Sequence, residues 1–257
     1  MTSVNIKGVD VPCSAENEQI DILEIITKFR YFRDWIASLD DKITIKHIHF
    51  QNVDKSGGGK IMFVKFKCQA YYMNEPKPIP GIILLRGGAV SCLIELICGD
   101  KTFGLLVQQP RLAVGRCTLE AVAGMLDQDK VSGAVMKEVE EETGIVVQYQ
   151  DLIDRTKCAH GEMLQGMESM VGLSDEYLRL YLCRLSVTSD EMKQLEGRIT
   201  GLRDHGEYIT LKILPWDQIW RETPDAKTLC SMFLREQLMK TGEIRPPIPY
   251  SQIISRK

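Results

Sequence analysis

The chain has 257 residues, 44% of them hydrophobic, which is enough for one large core or for a core domain beside a smaller unit. Its 32 basic residues are scattered among 35 acidic ones, so the formal net charge is -3 and no basic face is expected. We therefore expect no nucleic acid partner. The longest nearly apolar run, Ala89 to Cys98, contains Glu95 and is far shorter than the ~20 residues of a membrane span. No membrane association is expected.

The cysteines indicate a reducing compartment. The chain has 8 of them, none in a C-x-x-C pair and most within apolar runs, which predicts buried thiols and no zinc site. The start, Met1 to Pro12, has no basic segment followed by an apolar stretch, so no signal peptide is predicted. We therefore predict a cytoplasmic protein.

Hydrophobic periodicity predicts a small N-terminal unit made of a helix and a β-hairpin. Apolar residues recur every three or four positions from about Ile20 to Leu39, which is typical of an amphipathic helix whose aromatic residues pack in a core. Strand-like runs follow at Ile43–Phe50 and Ile61–Tyr72, with a glycine-rich turn between them. That turn lacks the Gly-Lys-Ser/Thr and the helix of a phosphate-binding loop, so a hairpin is preferred.

Three prolines in Met73–Pro80 form a stiff connector, where we place a boundary between domains 1–80 and 81–257. Beyond it, strand and helix candidates alternate, which predicts an α/β sandwich with a mixed sheet. The strand candidates are Ala89–Cys98, Gly104–Gln109, Thr118–Ala121, Leu178–Leu185 and Tyr208–Leu214, and the helix candidates are Ser132–Thr143, Asp190–Glu196 and Asp225–Thr241.

The helix predicted at Ser132–Thr143 carries a cluster of glutamates. At 100° per residue, Glu138, Glu141 and Glu142 fall within an arc of roughly 100° on one face, whereas Glu140 points elsewhere. A separate stripe should face the core and consists of Val135, Val139 and Thr143.

These carboxylates favour a bound divalent cation over a solvated acidic face. A charge run is usually solvated, but like charges at this spacing repel, and acids near a helix end marked by Gly144 oppose the helix dipole. Carboxylate oxygens suit Mg²⁺ or Mn²⁺, which in turn bind phosphate oxygens. The helix alone thus favours metal-assisted phosphate chemistry.

The segment from Lys137 to Ile145 resembles the second half of the Nudix box, G-x5-E-x7-R-E-U-x-E-E-x-G-U, where U is a bulky aliphatic residue. Lys137 replaces the arginine of the box and lacks its bidentate fork. Gly124 is one residue too close to Lys137, and Asp129 and Lys130 stand where the loop glutamate is expected. The metal-binding glutamates are retained.

A longer resemblance, over roughly Phe29 to Gly242, is to the plant-type ADP-sugar diphosphatases of this superfamily. The segments that carry it are Arg86–Val90, Gln109–Arg111, Leu119–Asp127, Gly201–Ile209 and Asp225–Lys227. The resemblance implies a Nudix-type α/β/α sandwich, a Mg²⁺ or Mn²⁺ cofactor, and a homodimer formed through the N-terminal unit. It also implies the metal ligands, namely the Ala123 carbonyl, Glu138 and Glu142, with Glu141 as a further ligand or as the holder of a catalytic water.

A general base is expected in the loop Gly172–Glu176, because similar enzymes place an acidic catalytic residue in the corresponding loop. Glu176 is the first choice and Asp175 the second. A solvated loop acid or a turn cap is the alternative for either residue.

Four residues are predicted to contact substrate. Arg86 and Arg111 would bind phosphate or a terminal sugar through charge-assisted hydrogen bonds, with a surface ion pair as the alternative. Glu120 would accept a hydrogen bond from a nucleoside or ribose, or serve as a paired structural carboxylate. His205 would touch the sugar or shape a turn.

The sequence therefore predicts metal-dependent hydrolysis of the diphosphate of a nucleoside-diphosphate sugar. The expected substrate is ADP-glucose or ADP-ribose, giving AMP and sugar 1-phosphate or ribose 5-phosphate. A UDP-sugar is the alternative substrate. A non-catalytic Nudix-fold sensor of a nucleotide sugar or a protein is the alternative function, favoured by Lys137 and opposed by the retained glutamates.

Overall fold

The structure, a computed structural model, describes residues 2–16, 26–126 and 131–256. The chain divides into two compact units, Met1–Gly87 with Met170–Glu176, and Gly88–Ser169 with Tyr177–Lys257. A segment distant in sequence thus completes the first unit. The boundary at residue 80, which concerns independently folding domains, stays a prediction.

The first unit is a sheet with one helix packed on it. Its elements are β1 (Thr2–Ile6), β2 (Val9–Ala15), α1 (Arg30–Ser38), β3 (Ile43–Lys55), β4 (Ile61–Tyr72) and β5 (Ile82–Leu85). The strands lie in the order β1-β2-β3-β4-β5, with β2 and β3 parallel and the other neighbours antiparallel. The core includes Phe32 of α1, whose ring makes edge contacts with Phe50 and Phe66.

The hairpin predicted in this unit is confirmed, because β3 and β4 pair antiparallel across a turn in which the Ser56 N–H bonds to the Lys60 carbonyl. The predicted amphipathic helix is confirmed over Arg30–Ser38 only, because the extended backbone of Phe29 interrupts the predicted span. Residues 20–25 of that span lie outside the described part of the chain. Strands β1, β2 and β5 were not predicted.

The second unit contains the remaining elements. They are β6 (Ala89–Cys98), β7 (Lys101–Arg111), β8 (Arg116–Glu120), β9 (Val122–Met125), α2 (Val131–Thr143), β10 (Leu152–Asp154), α3 (Arg155–His160), β11 (Met167–Glu168), β12 (Tyr177–Ser186), α4 (Ser189–Leu195), β13 (Ile199–Thr200), β14 (Ile209–Pro215), α5 (Ile219–Glu222), α6 (Ala226–Thr241), β15 (Ile248–Pro249) and α7 (Tyr250–Ile254). The main sheet runs β10-β12-β6-β7-β14-β13, with β8 paired to β7 and β9 paired to β6.

This sheet is mixed and buried on both faces. β6 pairs parallel with β12 and antiparallel with β7. On one face, Val90 and Ile94 of β6 pack in a core with Val135 and Val139 of α2. On the other face, residues of β6, β7 and β12 pack with α6 through Leu93, Leu106, Leu182, Met232 and Leu238. The predicted α/β/α sandwich with a mixed sheet is therefore confirmed.

Two further predictions concern the burial of the cysteine thiols and the absence of a membrane-spanning helix. Burial is confirmed for Cys13, Cys68, Cys92 and Cys183, whereas Cys117 and Cys158 are exposed, and all are free. Burial raises the pKa of Cys92 to about 12. Within the described ranges, no helix is both long and apolar enough to cross a membrane.

Candidate active site

The side chains of α2 lie on the faces that the sequence periodicity predicted. Val135, Val139 and Thr143 are fully buried, which anchors the helix on the sheet. Glu142 is also buried, with 6% of its surface exposed, while Glu140 lies in solvent. The separation of Glu140 from the other acids is therefore confirmed, and a carboxylate is buried near the end of the helix.

Strand β9 lies against this acidic face. The Ala123 N–H donates to Oε2 of Glu142 at 3.2 Å. A Cβ on Gly124 would overlap the carboxyl group of Glu138, so this group lies directly against the main chain and would have to shift if Gly124 carried a side chain. The two contacts bring together Ala123, Glu138 and Glu142, which the sequence proposed as metal ligands.

The environment of Glu142 disfavours its charged form. Burial raises the pKa of Glu142 to about 8, the Ala123 N–H opposes that rise, and the nearby charge of Glu138 adds to it. The charges of Arg111 and Lys227 lower the pKa. A cation bound between Glu138 and Glu142 would reverse this effect, because it favours both carboxylates in their charged form.

Glu138 and Glu142 fit a Mg²⁺ site that has few protein ligands. Among the residues that the structure describes, no three His, Cys, Asp or Glu side chains are arranged to hold a metal ion. Mg²⁺ commonly binds through one or two carboxylates and takes its other ligands from water and substrate phosphates, so Glu138 and Glu142 fit that mode. Glu141 lies one turn from Lys137, with 3.7 Å between Oε2 and Nζ.

The C-terminal end of α2 is held by Thr200 of β13 and by the loop that follows this strand. Thr200 Oγ1 donates to the carbonyl of Glu142, and the Gly201 N–H donates to the carbonyl of Glu141 at 3.2 Å. These bonds satisfy carbonyls that a helix end leaves unpaired. The loop also contains His205, at the end of a short 3₁₀ turn, whose side chain lies outside the described part.

A second carboxylate, Glu120 at the end of β8, lies in a network of donors. Arg111 binds it through two parallel bonds, Nε to Oε1 at 2.8 Å and Nη2 to Oε2 at 2.9 Å. Thr118 Oγ1 also donates to Oε1, and Lys227 Nζ also donates to Oε2. Burial would raise the pKa of Glu120, but these bonds and charges lower it to about 2.

This geometry bears on the roles predicted for Glu120 and Arg111. A carboxylate offers about four acceptor positions, and four donors fill those of Glu120. The paired carboxylate, given above as the alternative for Glu120, is therefore what the structure contains, and a contact with substrate would require one donor to leave. The network includes Lys227, for which the sequence predicted no role.

The candidate base loop belongs to the first unit and lies beside β5. The Leu84 N–H bonds to the Leu173 carbonyl at 2.8 Å. Asp175 Oδ1 accepts the N–H groups of Arg86 at 2.8 Å and Gly87 at 3.2 Å. Burial raises the pKa of Asp175, and both N–H groups oppose the rise. Asp175 thus caps the end of β5, as the turn-cap alternative described.

Glu176 faces a cation in the same unit. Its Oε1 lies 2.7 Å from Nη1 of Arg86, and 14% of the Glu176 side chain is exposed. The ion pair predicted as the alternative role of Arg86 is therefore present. Its acidic partner is Glu176, the residue predicted first as the general base.

The family of the chain follows from its similarity to a known protein. The chain is 36% identical over 221 residues to Nudix hydrolase 14, chloroplastic, of Arabidopsis thaliana, covering 82% of this chain and 71% of that protein. The chain belongs to the Nudix hydrolase family. The resemblance drawn from the segment Lys137–Ile145 is confirmed, and with it the prediction of a hydrolase.

A solved structure supports the fold of this Nudix hydrolase. The crystal structure of an ADP compounds hydrolase superposes with a TM-score of 0.51 and covers 80% of this chain and 99% of its own. Sequence identity is 17%, so the likeness concerns the fold alone. No family model matches the chain.

Proposed function

We propose that this Nudix hydrolase cleaves the diphosphate of a nucleoside-diphosphate sugar. The proposed substrate is an ADP-sugar, ADP-glucose or ADP-ribose, and the products are AMP and sugar 1-phosphate or ribose 5-phosphate. The observation that carries the proposal is the approach of Glu138 and Glu142 to Ala123–Gly124, which puts paired carboxylates against a main-chain strand. The names of the two similar proteins support hydrolysis of a nucleotide derivative.

Mg²⁺ or Mn²⁺ is the proposed cofactor, held by Glu138, Glu142 and the Ala123 carbonyl. When bound, it supplies neutralisation of the diphosphate charge and activation of water. Glu141 is the proposed further ligand or the residue that orients the water. The side chains of the protein bind the substrate, orient it and move a proton.

Glu176 is the proposed general base. Asp175 is the weaker candidate because its carboxylate accepts two main-chain N–H groups, which hold it in place. Glu176 is bonded to a side chain, Arg86, that is itself proposed to bind phosphate. An anionic group that paired with Arg86 would release the Glu176 carboxylate to accept a proton from water.

Two further features of the proposal concern the protein as a whole. A homodimer formed through the first unit is proposed from the resemblance, and light scattering on the purified protein would measure its mass. The cytoplasmic location stays a prediction, since the relative from Arabidopsis thaliana is described as chloroplastic. A UDP-sugar remains the alternative substrate.

The decisive experiment measures product release from ADP-glucose, ADP-ribose, UDP-glucose and ATP, with Mg²⁺ and with Mn²⁺. We expect an ADP-sugar to be hydrolysed fastest and AMP to be the first product. Glu138→Gln should abolish most of the activity, whereas Glu140→Gln, on the exposed side of the same helix, is the matched control. Preference for ATP, or release of free ADP, would contradict the proposal. Binding of a nucleotide sugar without turnover would favour the sensor.

A further inference from the structure

The segment Asp225-Ala226-Lys227 begins α6 and ties that helix to the end of β8. Asp225 Oδ2 accepts the N–H and the hydroxyl of Thr228, and the Thr228 hydroxyl accepts the Ala121 N–H at 2.8 Å. Asp225 Oδ1 accepts Lys227 Nζ at 3.0 Å, and Lys227 also donates to Glu120. Glu120, the last residue of β8, and the next residue, Ala121, thus bond to two consecutive residues of the helix, and Asp225 bonds to both of those helix residues.

Lys227 balances the charge of the buried Glu120 carboxylate. The Lys227 side chain is 11% exposed, that of Asp225 is 17% exposed and that of Glu120 is 6% exposed. With Arg111, whose side chain is 44% exposed, the cluster contains two cations and two anions, so its formal charges cancel. Loss of the lysine charge would leave a buried carboxylate in excess, which is costly.

Arg111 is held by one edge only. Its Nε and Nη2 bind Glu120, while Nη1 has no acceptor among the described residues and the side chain is 44% exposed. A guanidinium is planar, so fixing one edge also fixes the direction of the other. That free edge is a preorganised donor for an anionic group such as a phosphate.

We propose that Lys227 is a positioning residue, which with Asp225 fixes Glu120 and through it directs the free edge of Arg111 toward an anionic group of the substrate. This inference rests on the proposed function for the identity of that group. It assigns the segment Asp225–Lys227 a role in substrate binding without any contact between Lys227 and the substrate.

A double-mutant cycle tests the proposal with ADP-glucose or ADP-ribose. Lys227→Met, which keeps the length of the side chain and removes its charge, should raise KM roughly 10-fold and change kcat less, the effect of losing one hydrogen bond to a charged group. Lys227→Arg should recover most of this loss. In an Arg111→Ala background, Lys227→Met should raise KM no further, because its effect passes through Arg111.

A second measurement does not depend on turnover. The Nε–H signal of Arg111 in a nitrogen–proton NMR spectrum should be sharp and protected from exchange in the wild-type protein, and broadened or lost in Lys227→Met. Asp225→Asn, which keeps the shape of the side chain, should act in the same direction and serves if Lys227→Met does not fold. Lys212→Met is the matched control, because Lys212 forms an ion pair with Glu196 away from this network.

The outcomes separate the two proposals. An unchanged Arg111 signal in Lys227→Met, or KM effects that multiply in the double mutant, would overturn the positioning role. A lower melting temperature with unchanged KM would do the same. If the wild-type protein hydrolysed no nucleotide sugar while the Arg111 signal still depended on Lys227, the proposed function would fail and the positioning of Arg111 would stand.

Discussion

Gly124 lies directly against the carboxyl group of Glu138. An added methyl group would overlap the carboxyl group of Glu138, which must then move away from Ala123 and Glu142. We expect Gly124→Ala to lower kcat/KM on the order of 10²-fold, since a displacement of about 1 Å in a reacting site has that effect. Titration with Mg²⁺ should show weaker activation.

Gly133 provides the control for this change. It lies in α2, where a Cβ would meet nothing within 4 Å, so Gly133→Ala should keep the activity and raise stability by roughly 0.5–1 kcal/mol. Equal activities of the two variants would show that the contact between Glu138 and Gly124 has no part in catalysis.

At the scale of elements, the loop Gly172–Glu176 contains two adjacent acidic residues, Asp175 and Glu176, whose roles can be tested separately. Asp175→Asn weakens a cap on two main-chain N–H groups, so it should lower the free energy of unfolding by about 1 kcal/mol. Glu176→Gln removes the charge that pairs with Arg86, so it should also lower stability, but it alone should lower the rate, by roughly 10²–10⁴-fold, if Glu176 is the base. Denaturant unfolding and single-turnover rates measure the two effects. The reverse pattern would transfer the base to Asp175.

Elements with many regularly spaced buried residues were predictable. The bounds of β4 and β6 match the predicted runs, and α2 begins one residue from its predicted start. Strands β10, β11, β13 and β15 have only two or three residues each and were missed, because so short a segment shows no periodicity. Their pairing partners, distant in sequence, determine them.

At the scale of the whole molecule, the network around Glu120 links stability to pH. The pKa of Glu120 is about 2 in the folded state against an ordinary 4.5, so the network contributes stability that is fully present above about pH 4.5. That contribution, roughly 3 kcal/mol, is lost as the pH falls toward 2. Urea unfolding between pH 7 and pH 3 should show it, and Glu120→Gln should flatten the acid limb of the curve. An unchanged acid limb would refute the assignment.

The candidate site was predictable only in part. The glutamates of α2 follow from helical geometry, and the segment Lys137–Ile145 carries the family resemblance. Neither pattern indicates that Lys227, over 100 positions away, donates to Glu120, or that Asp175 caps β5. Such contacts depend on tertiary packing, and a lone lysine or aspartate in a sequence carries no signal of its partner.

The discontinuity of the first unit has a consequence for synthesis. Residues 170–176 belong to this unit, yet they leave the ribosome only after most of the second unit's sheet has been translated. At about 5–20 residues per second, the edge of β5 waits on the order of ten seconds for the segment that bonds to Leu84. The nascent first unit therefore exposes an unpaired strand edge during that interval, and chaperone binding to ribosome-bound chains should peak before residue 176 emerges.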